Sequence, residues 1–365
     1  MAENAGSSGG DPRTPRSDNQ RENGEHGSLE RRPAPAPAPT RTRRPTGGRR
    51  PLTPMPKGDP WQLGGPIPGG PTVVALGGGH GLATTLTALR RYAGSVTAVV
   101  SVADDGGSSG RLRQIYDVPA PGDLRKCLVA LAESDSVWRE AFEHRFRGGD
   151  LDGHALGNLI LVGLTQVLGD FGQALEEAGR LMDCAGRVLP ATTDPVVLTA
   201  DAGDAGPESA NVEGQVAVSN SLDRIRRVHI VPEDAKAHPE VLSAIELADQ
   251  VILAPGSLFT SLAPVLCVPS IREALAATRG RIVHVCNLEP QVPETLGLDA
   301  TDHLRAVLDH GARVDAFLYH LGGELAADEI SIRALGVEPV AADVAGPGGH
   351  VHDPAALAKA LEGLL

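Results

Sequence analysis

The segment Ala103–Arg113 gathers Asp104, Asp105, Ser108, Ser109, Arg111 and Arg113 around three glycines, directly after a β-branched run. At a strand end, Asp104 can hold a ribose hydroxyl. Alternatively, Asp104 and Asp105 together can hold Mg²⁺, which takes carboxylate oxygens and keeps part of its water. Gly106, Gly107 and Gly110 allow backbone turns that aim Ser108 and Ser109 at a phosphate. Arg111 and Arg113 bring positive charge to the same anion. A flexible surface loop would account for the glycines and serines, but not for this density of Asp, Ser and Arg.

Two further segments have the makings of anion sites. Gly77, Gly78, Gly79 and Gly81 surround His80 between the run Thr72–Leu76 and a helical pattern from Leu82. That order lets the backbone approach a ligand and points the free N–H groups of a first helical turn at it. Leu82 stands where a dinucleotide fingerprint needs its third glycine, and no Gly-Lys-Ser/Thr follows, so neither an NAD(P) fingerprint nor a P-loop is present. The second segment is Val251–Ser261, where Gly256 permits a turn and Ser257, Thr260 and Ser261 crowd a helix start. It reads as a phosphate cradle capped by Ser257 rather than a nucleophile elbow, because G-x-S-x-G is absent. Asn287 ends another strand and reaches the same crevice, while its neighbour Cys286 reads as buried.

Pro121–Lys126 opens a helix with Asp123 at the N-cap position. Arg125 and Lys126 fall in its first turn, where the helix dipole disfavours cations, so they answer to an anion. His154 and Asn158 lie four apart on one helical face. His154 is either a general base or the partner of a helix-start hydrogen bond.

The elements that hold these residues alternate. Strands are expected over Thr72–Leu76, Val96–Ala103, Val196–Thr199, Val212–Ser219, Arg226–Val231, Val251–Ala254, Arg281–Cys286 and Val314–Tyr319. The strands at 196–199 and 212–219 make a small antiparallel excursion. Helices are expected over Leu82–Tyr92, Asp123–Glu133, Val137–Phe146, His154–Leu168 and Phe171–Cys184, after Gly256, and from Asp302. Near-continuous apolar strands of this kind belong to a parallel sheet covered on both faces. The expected fold is a three-layer α/β/α domain over 71–365 with a mostly parallel Rossmann-like sheet. Its strand carboxyl ends bring the three loops into one crevice. Residues 1–70 differ: Pro, Gly, Ser and Arg dominate and large apolar residues are nearly missing, so a disordered, solvated tail is expected.

Composition narrows the function classes. The net charge of −13 argues against a general nucleic-acid binder. Cys127, Cys184, Cys267 and Cys286 are scattered without a CxxC pair, which disfavours structural zinc and suits a reducing compartment. No apolar run reaches the roughly 18 residues of a membrane span, and a secretion signal is not seen. A cytoplasmic protein is expected.

Taken together, Gly77–Leu82, Ala103–Arg113, Pro121–Leu131, Gly153–Leu161, Leu253–Leu262 and Cys286–Asn287 resemble the gluconeogenesis factor family of YvcK-like proteins, related to CofD-type 2-phospho-L-lactate transferases. The resemblance covers 72–320 and implies a nucleotide-sugar crevice. It also implies UDP-sugar binding, of UDP-N-acetylglucosamine in particular, with a role in cell shape and growth on gluconeogenic carbon. A cell-wall synthesis enzyme or regulatory protein is the implied partner, and a homo-oligomer is compatible with it. No established reaction comes with this branch. The transferase branch carries a Cys-Pro-Asp-Leu-Asp-Thr type segment after its second strand, which this chain lacks. Asp123 is similar in position to that branch's metal-binding aspartate, so the resemblance implies Asp104, Asp105 and Asp123 as the Mg²⁺ set. His80 replaces the commoner Thr, and the loop over 287–295 matches loosely, which leaves Glu294 and Thr295 without an assigned role.

Overall fold

A computed structural model of the chain describes residues 67–133, 136–203 and 210–365. The basic, Pro-rich tail expected over 1–70 lies almost wholly outside the described residues. Among the described residues there are ten strands: β1 (Thr72–Gly77), β2 (Ser95–Val100), β3 (Arg187–Pro190), β4 (Val197–Ala202), β5 (Ala210–Glu213), β6 (Ile225–Val231), β7 (Gln250–Leu253), β8 (Arg281–Val285), β9 (Ala316–His320) and β10 (Glu338–Ala342). Seven of them form one sheet in the order β10-β9-β8-β7-β1-β2-β3. Every pairing in it is parallel.

Successive residues of a strand face opposite sides of its sheet. Val73, Val74, Ala75 and Leu76 are all fully buried, so both faces at β1 are covered. This is the expected layered α/β architecture. Small residues allow close approach: helix Gly79–Leu89 packs on helices Pro121–Leu131 and Pro354–Glu362. From β1 the chain builds outward through β2 to β3, then returns to lay β7 on the other side of β1. Strand order therefore reverses between β1 and β7, and ligands of open parallel sheets bind outside the strand carboxyl ends at such a point.

The antiparallel excursion is also present, as a three-stranded sheet in the order β5-β4-β6. Three sequence expectations change. The segment read as a ligand-facing loop after the second strand forms helix Gly107–Tyr116, entered through Gly107 at φ +50°. Its Gly and Ser content disfavours helix, but Leu112 packs with Val118 and Val162 in a small apolar cluster, and packing overrides propensity. The strand expected over 212–219 ends at Glu213 and gives way to the short helix Gln215–Ser219. The second strand stops at Val100 rather than Ala103. Beyond Tyr319 the chain adds β10 and helices Glu329–Ala334 and Pro354–Glu362, none of them expected from the sequence. Among the described residues no single helix is long and apolar enough to cross a membrane.

Candidate functional site at the sheet's switch point

The loops after β1 and β7 press against each other. A Cβ on Gly81 would stand 2.0 Å from the Pro255 carbonyl oxygen, so only glycine fits there. A Cβ on Gly78 would lie 2.7 Å from a carboxylate oxygen of Asp123 and 3.1 Å from the Ser261 hydroxyl. The two glycine loops and the helix at 121–131 thus converge on one spot, as their strand-end positions imply.

Each amide cradle is met by a carboxylate of the chain itself. Gly79 N–H donates to Asp123 Oδ2 at 2.8 Å. Asp123 is therefore not the N-cap of its helix. Ala120 holds that position with Pro121 at N1, which leaves Asp123 in the first turn, free to reach across. On the other side, Phe259 and Thr260 N–H donate to Glu294 Oε1 at 2.6 and 3.2 Å, and the Ser257 hydroxyl donates to Oε2. Ser257 makes no side-chain cap to the π-helical turn Leu258–Leu262; Glu294 does that work. Burial pushes the Glu294 carboxyl above its ordinary range, and those hydrogen bonds oppose the shift. Asn287 clamps the same loop, accepting from Gly256 N–H at 2.7 Å and donating to its carbonyl at 2.8 Å.

Two adjoining chambers open from this junction. The first, about 310 Å³, is walled by Gly78 to Gly81, Asp104, Asp123, Lys126 and the hydroxyls of Ser257, Thr260 and Ser261. The second, about 210 Å³, shares His80, Gly81, Gly256 and Gln291 with the first and extends past Asn287 to His350 and His352. Asp104 is part-buried and accepts from Gly106 N–H at 2.9 Å. Its carboxyl is raised chiefly by burial and further by the charge of Asp123, while bonds from Gly106 and Ser109 oppose the rise. Lys126 Nζ stands 3.0 Å from Asp123 Oδ1. The Lys126 charge, then burial, lowers the His80 imidazole, which favours its neutral form. Among the described residues no group of three His, Cys, Asp or Glu side chains is placed to hold a metal. Asp104 and Asp123 in one hydroxyl-lined chamber nonetheless fit Mg²⁺, which takes one or two carboxylates and keeps several waters.

The remaining expected residues lie elsewhere. Gly77 is the last residue of β1. Asp105 lines neither chamber; it accepts from Gln215 and Val216 N–H at 3.0 and 2.9 Å and so anchors the short helix. Ser109 is buried behind Asp104. Arg111 donates to the Asp152 carbonyl at 2.9 Å. Ser108, His154, Asn158 and Arg125 form a separate buried network. Ser108 Oγ lies 3.0 Å from His154 Nδ1 and accepts from Asn158 Nδ2 at 3.1 Å, while Arg125 Nε donates to Asn158 Oδ1 at 3.1 Å. His154 is thus a structural hydrogen-bonding partner in this arrangement, with its pKa lowered first by burial.

With the helix starting at Pro121, Arg125 and Lys126 lie beyond its first turn, and of these two cations it is Lys126 that lines the cleft. It follows Asp123 by three positions and shares its face, whereas Arg125 is turned about 100° away. That signal was available in the sequence. Ser101, Gln215, Gln291, His350 and Glu294 carried none, since only tertiary folding brings them here.

Fold and cleft together define a doubly wound α/β protein with a polar site at its topological switch point. The model of the family described as 2-phospho-L-lactate transferase CofD matches residues 73–347. The chain is 42% identical over 276 residues to a gluconeogenesis factor of Halalkalibacterium halodurans, covering 74% of this chain and 84% of the relative. It is 42% identical over 241 residues to the gluconeogenesis factor of Bacillus subtilis, covering 66% of this chain and 75% of the relative. A crystal structure of a Bacillus halodurans protein superposes with a TM-score of 0.75 at 37% identity, covering 79% of this chain and 97% of that one. The chain belongs to the CofD family, among the YvcK-like gluconeogenesis factors.

Proposed function

We propose that this protein binds a nucleoside-diphosphate sugar, UDP-N-acetylglucosamine by resemblance, and acts as a cytoplasmic regulator of cell shape and wall synthesis during gluconeogenic growth. The observation that carries the reading is the polar chamber at the switch point, where Lys126, neutral His80 and three hydroxyls face the pair Asp104 and Asp123. In this proposal the diphosphate does not rest on free loop amides, because Asp123 and Glu294 already accept from Gly79, Phe259 and Thr260. Lys126 supplies its counter-charge. Two carboxylates beside a dianion call for a cation between them, so Asp104 and Asp123 would hold Mg²⁺, which neutralises phosphate charge. Binding would bias a conformation read by a partner protein, for which a wall-synthesis enzyme is the natural class.

Calorimetric titration of the full chain with UDP-N-acetylglucosamine, with and without Mg²⁺, tests this reading. Saturable heat that grows with Mg²⁺ is expected; none at millimolar ligand would sink it. The shared chamber of Asp104 and Asp123 also favours a second reading, transfer of a phosphoryl-linked group to a hydroxyl acceptor. Mg²⁺-dependent release of free nucleotide, abolished by Asp123→Asn, would establish that reading over simple binding.

A further inference from the structure

Arg113 lines neither chamber of the cleft. It lines a separate cavity of about 220 Å³, between the end of helix Gly107–Tyr116 and the segment that leads into β4. The chain leaving β2 divides this cavity from the cleft: Ser101 lines the first chamber, and its neighbour Val102 lines the other space. The most buried walls are aliphatic, from Val102, Val118 and Val196. Three charged side chains share the cavity with them, Arg113, Asp117 and Asp194.

Those charges are held apart rather than paired. Arg113 is half-buried, and one guanidinium nitrogen donates to the Val196 carbonyl, which fixes the group on the wall. Asp117 leaves the helix at φ +51°, and its carboxylate has no hydrogen-bond partner among the described residues. Asp194 Oδ2 accepts from Lys236 N–H at 2.8 Å, while its Oδ1 accepts from no described residue. Opposite charges four positions apart on a helix ordinarily meet. Arg113 and Asp117 form no ion pair, so each keeps bonding capacity on the same cavity. A bare anion entering here would face two carboxylates, and a bare amine would leave the guanidinium unanswered. A molecule that carries both charges answers both walls at once. At roughly 30 Å³ per water the space holds about seven waters, the bulk of a small aliphatic metabolite.

We infer that this cavity is a second ligand site, for a small aliphatic α-amino acid of the valine or leucine kind. Its carboxylate lies on Arg113, its ammonium between Asp117 and Asp194, and its side chain on Val102, Val118 and Val196. The site is independent of the nucleotide reading of the cleft.

Calorimetric titration of the full-length protein with L-valine and L-leucine tests this site. Isovalerate and isobutylamine, each lacking one of valine's two charges, are the comparison probes. Saturable binding of at least one amino acid is expected, with both comparison probes tenfold or more weaker. Asp117→Asn removes a carboxylate without a partner in the fold and keeps a residue that tolerates this backbone. Unfolding stability should hold in that variant while amino-acid affinity falls tenfold or more. Asp194→Asn, which can still accept from Lys236 N–H, repeats the measurement on the other carboxylate. No saturable heat from either amino acid at tens of millimolar would overturn the site. Isovalerate or isobutylamine binding as tightly as valine would overturn it too, as would wild-type affinity in both variants.

Discussion

One helix, Pro121–Leu131, carries two polar clusters on two of its faces, and they have opposite character. On the cleft face, Asp123 and Lys126 border an open chamber with part of their bonding capacity turned to solvent. On the inner face, Arg125 is 7% exposed and donates to Asn158 and to the Phe142 carbonyl, within a network completed by Ser108 and His154. The inner cluster is closed and its groups answer one another. A closed network of this kind fixes the relative position of four helices, and its hydrogen bonds are spent on one another. The open cluster is the one with chemistry to offer. Residue type alone does not separate the two, since Arg125, Asn158, His154 and Ser108 make as convincing a ligand set as any in the sequence. Whether hydrogen-bonding capacity is already used does separate them.

The variant with the largest expected effect attacks the loop junction from which the open cluster's chamber opens. Gly81→Ala drives a methyl into the Pro255 carbonyl, so the loops after β1 and β7 must part. A loss on the order of 3 kcal/mol is expected for such overpacking against backbone, together with loss of nucleotide binding, read by urea unfolding and calorimetry. Wild-type stability in that variant would mean the two loops are not locked. Next comes Arg125→Ala, which empties the closed cluster and leaves Asn158 and the Phe142 carbonyl without their donor. Unfolding in urea should show a loss of about 2–3 kcal/mol, while the folded protein binds ligand as the wild type does. Weakened binding at unchanged stability would reverse the assignment of the two faces.

The parts of this arrangement that were legible in the sequence share a property. The glycine loop at 77–81, the turn at Gly256 and the strands beside them are local signals, and their strand-end positions bring the two loops together. Asp104 followed from its strand-end position, whereas Asp123 joined it only through the family resemblance. Sequence reasoning misjudged whatever depends on a distant partner. Ser108 looked like a phosphate ligand because helix Gly107–Tyr116 is stabilised by Leu112, Val118 and Val162, not by its own Gly and Ser content. The amides at 259 and 260 looked free because Glu294, which accepts from them, is more than thirty residues downstream. His350 and His352 reach the cleft only through the last part of the fold, where no motif announced them.

Lys126→Met gives a smaller effect on folding but a sharper division between the faces. The Lys126–Asp123 pair is partly exposed at 3.0 Å, so its removal should cost under about 1 kcal/mol of stability. Affinity for a diphosphate ligand should fall tenfold or more, equal to about 1.4 kcal/mol, and its dependence on salt should weaken. Arg125 offers the control, because a cation in the closed network should leave the salt dependence as it was. Loss of affinity without a change in salt dependence would argue that Lys126 acts through packing alone.

The smallest effect is a gain in stability, and it tests whether the open cluster is strained for a purpose. Burial, reinforced by Asp123, raises the Asp104 carboxyl above its ordinary value. The folded protein therefore keeps that proton at a pH where the unfolded chain, with a pKa near 3.9, has released it. Well below about pH 4 both states are protonated and Asp104 costs nothing. As pH rises from the unfolded to the folded-state value only the unfolded chain releases the proton, so stability falls until the folded carboxyl ionises too and then levels off. Asp104→Asn removes the titration. Its stability should match wild type well below about pH 4 and exceed it by up to about 2 kcal/mol at pH 8, the scale usual when a functional site is relieved of a charge. Added Mg²⁺ should close that gap by stabilising the wild type, since the cation binds the folded carboxylates and not the unfolded chain. A gap that is absent at pH 8, or that Mg²⁺ leaves unchanged, would place Asp104 with the closed cluster rather than the open one.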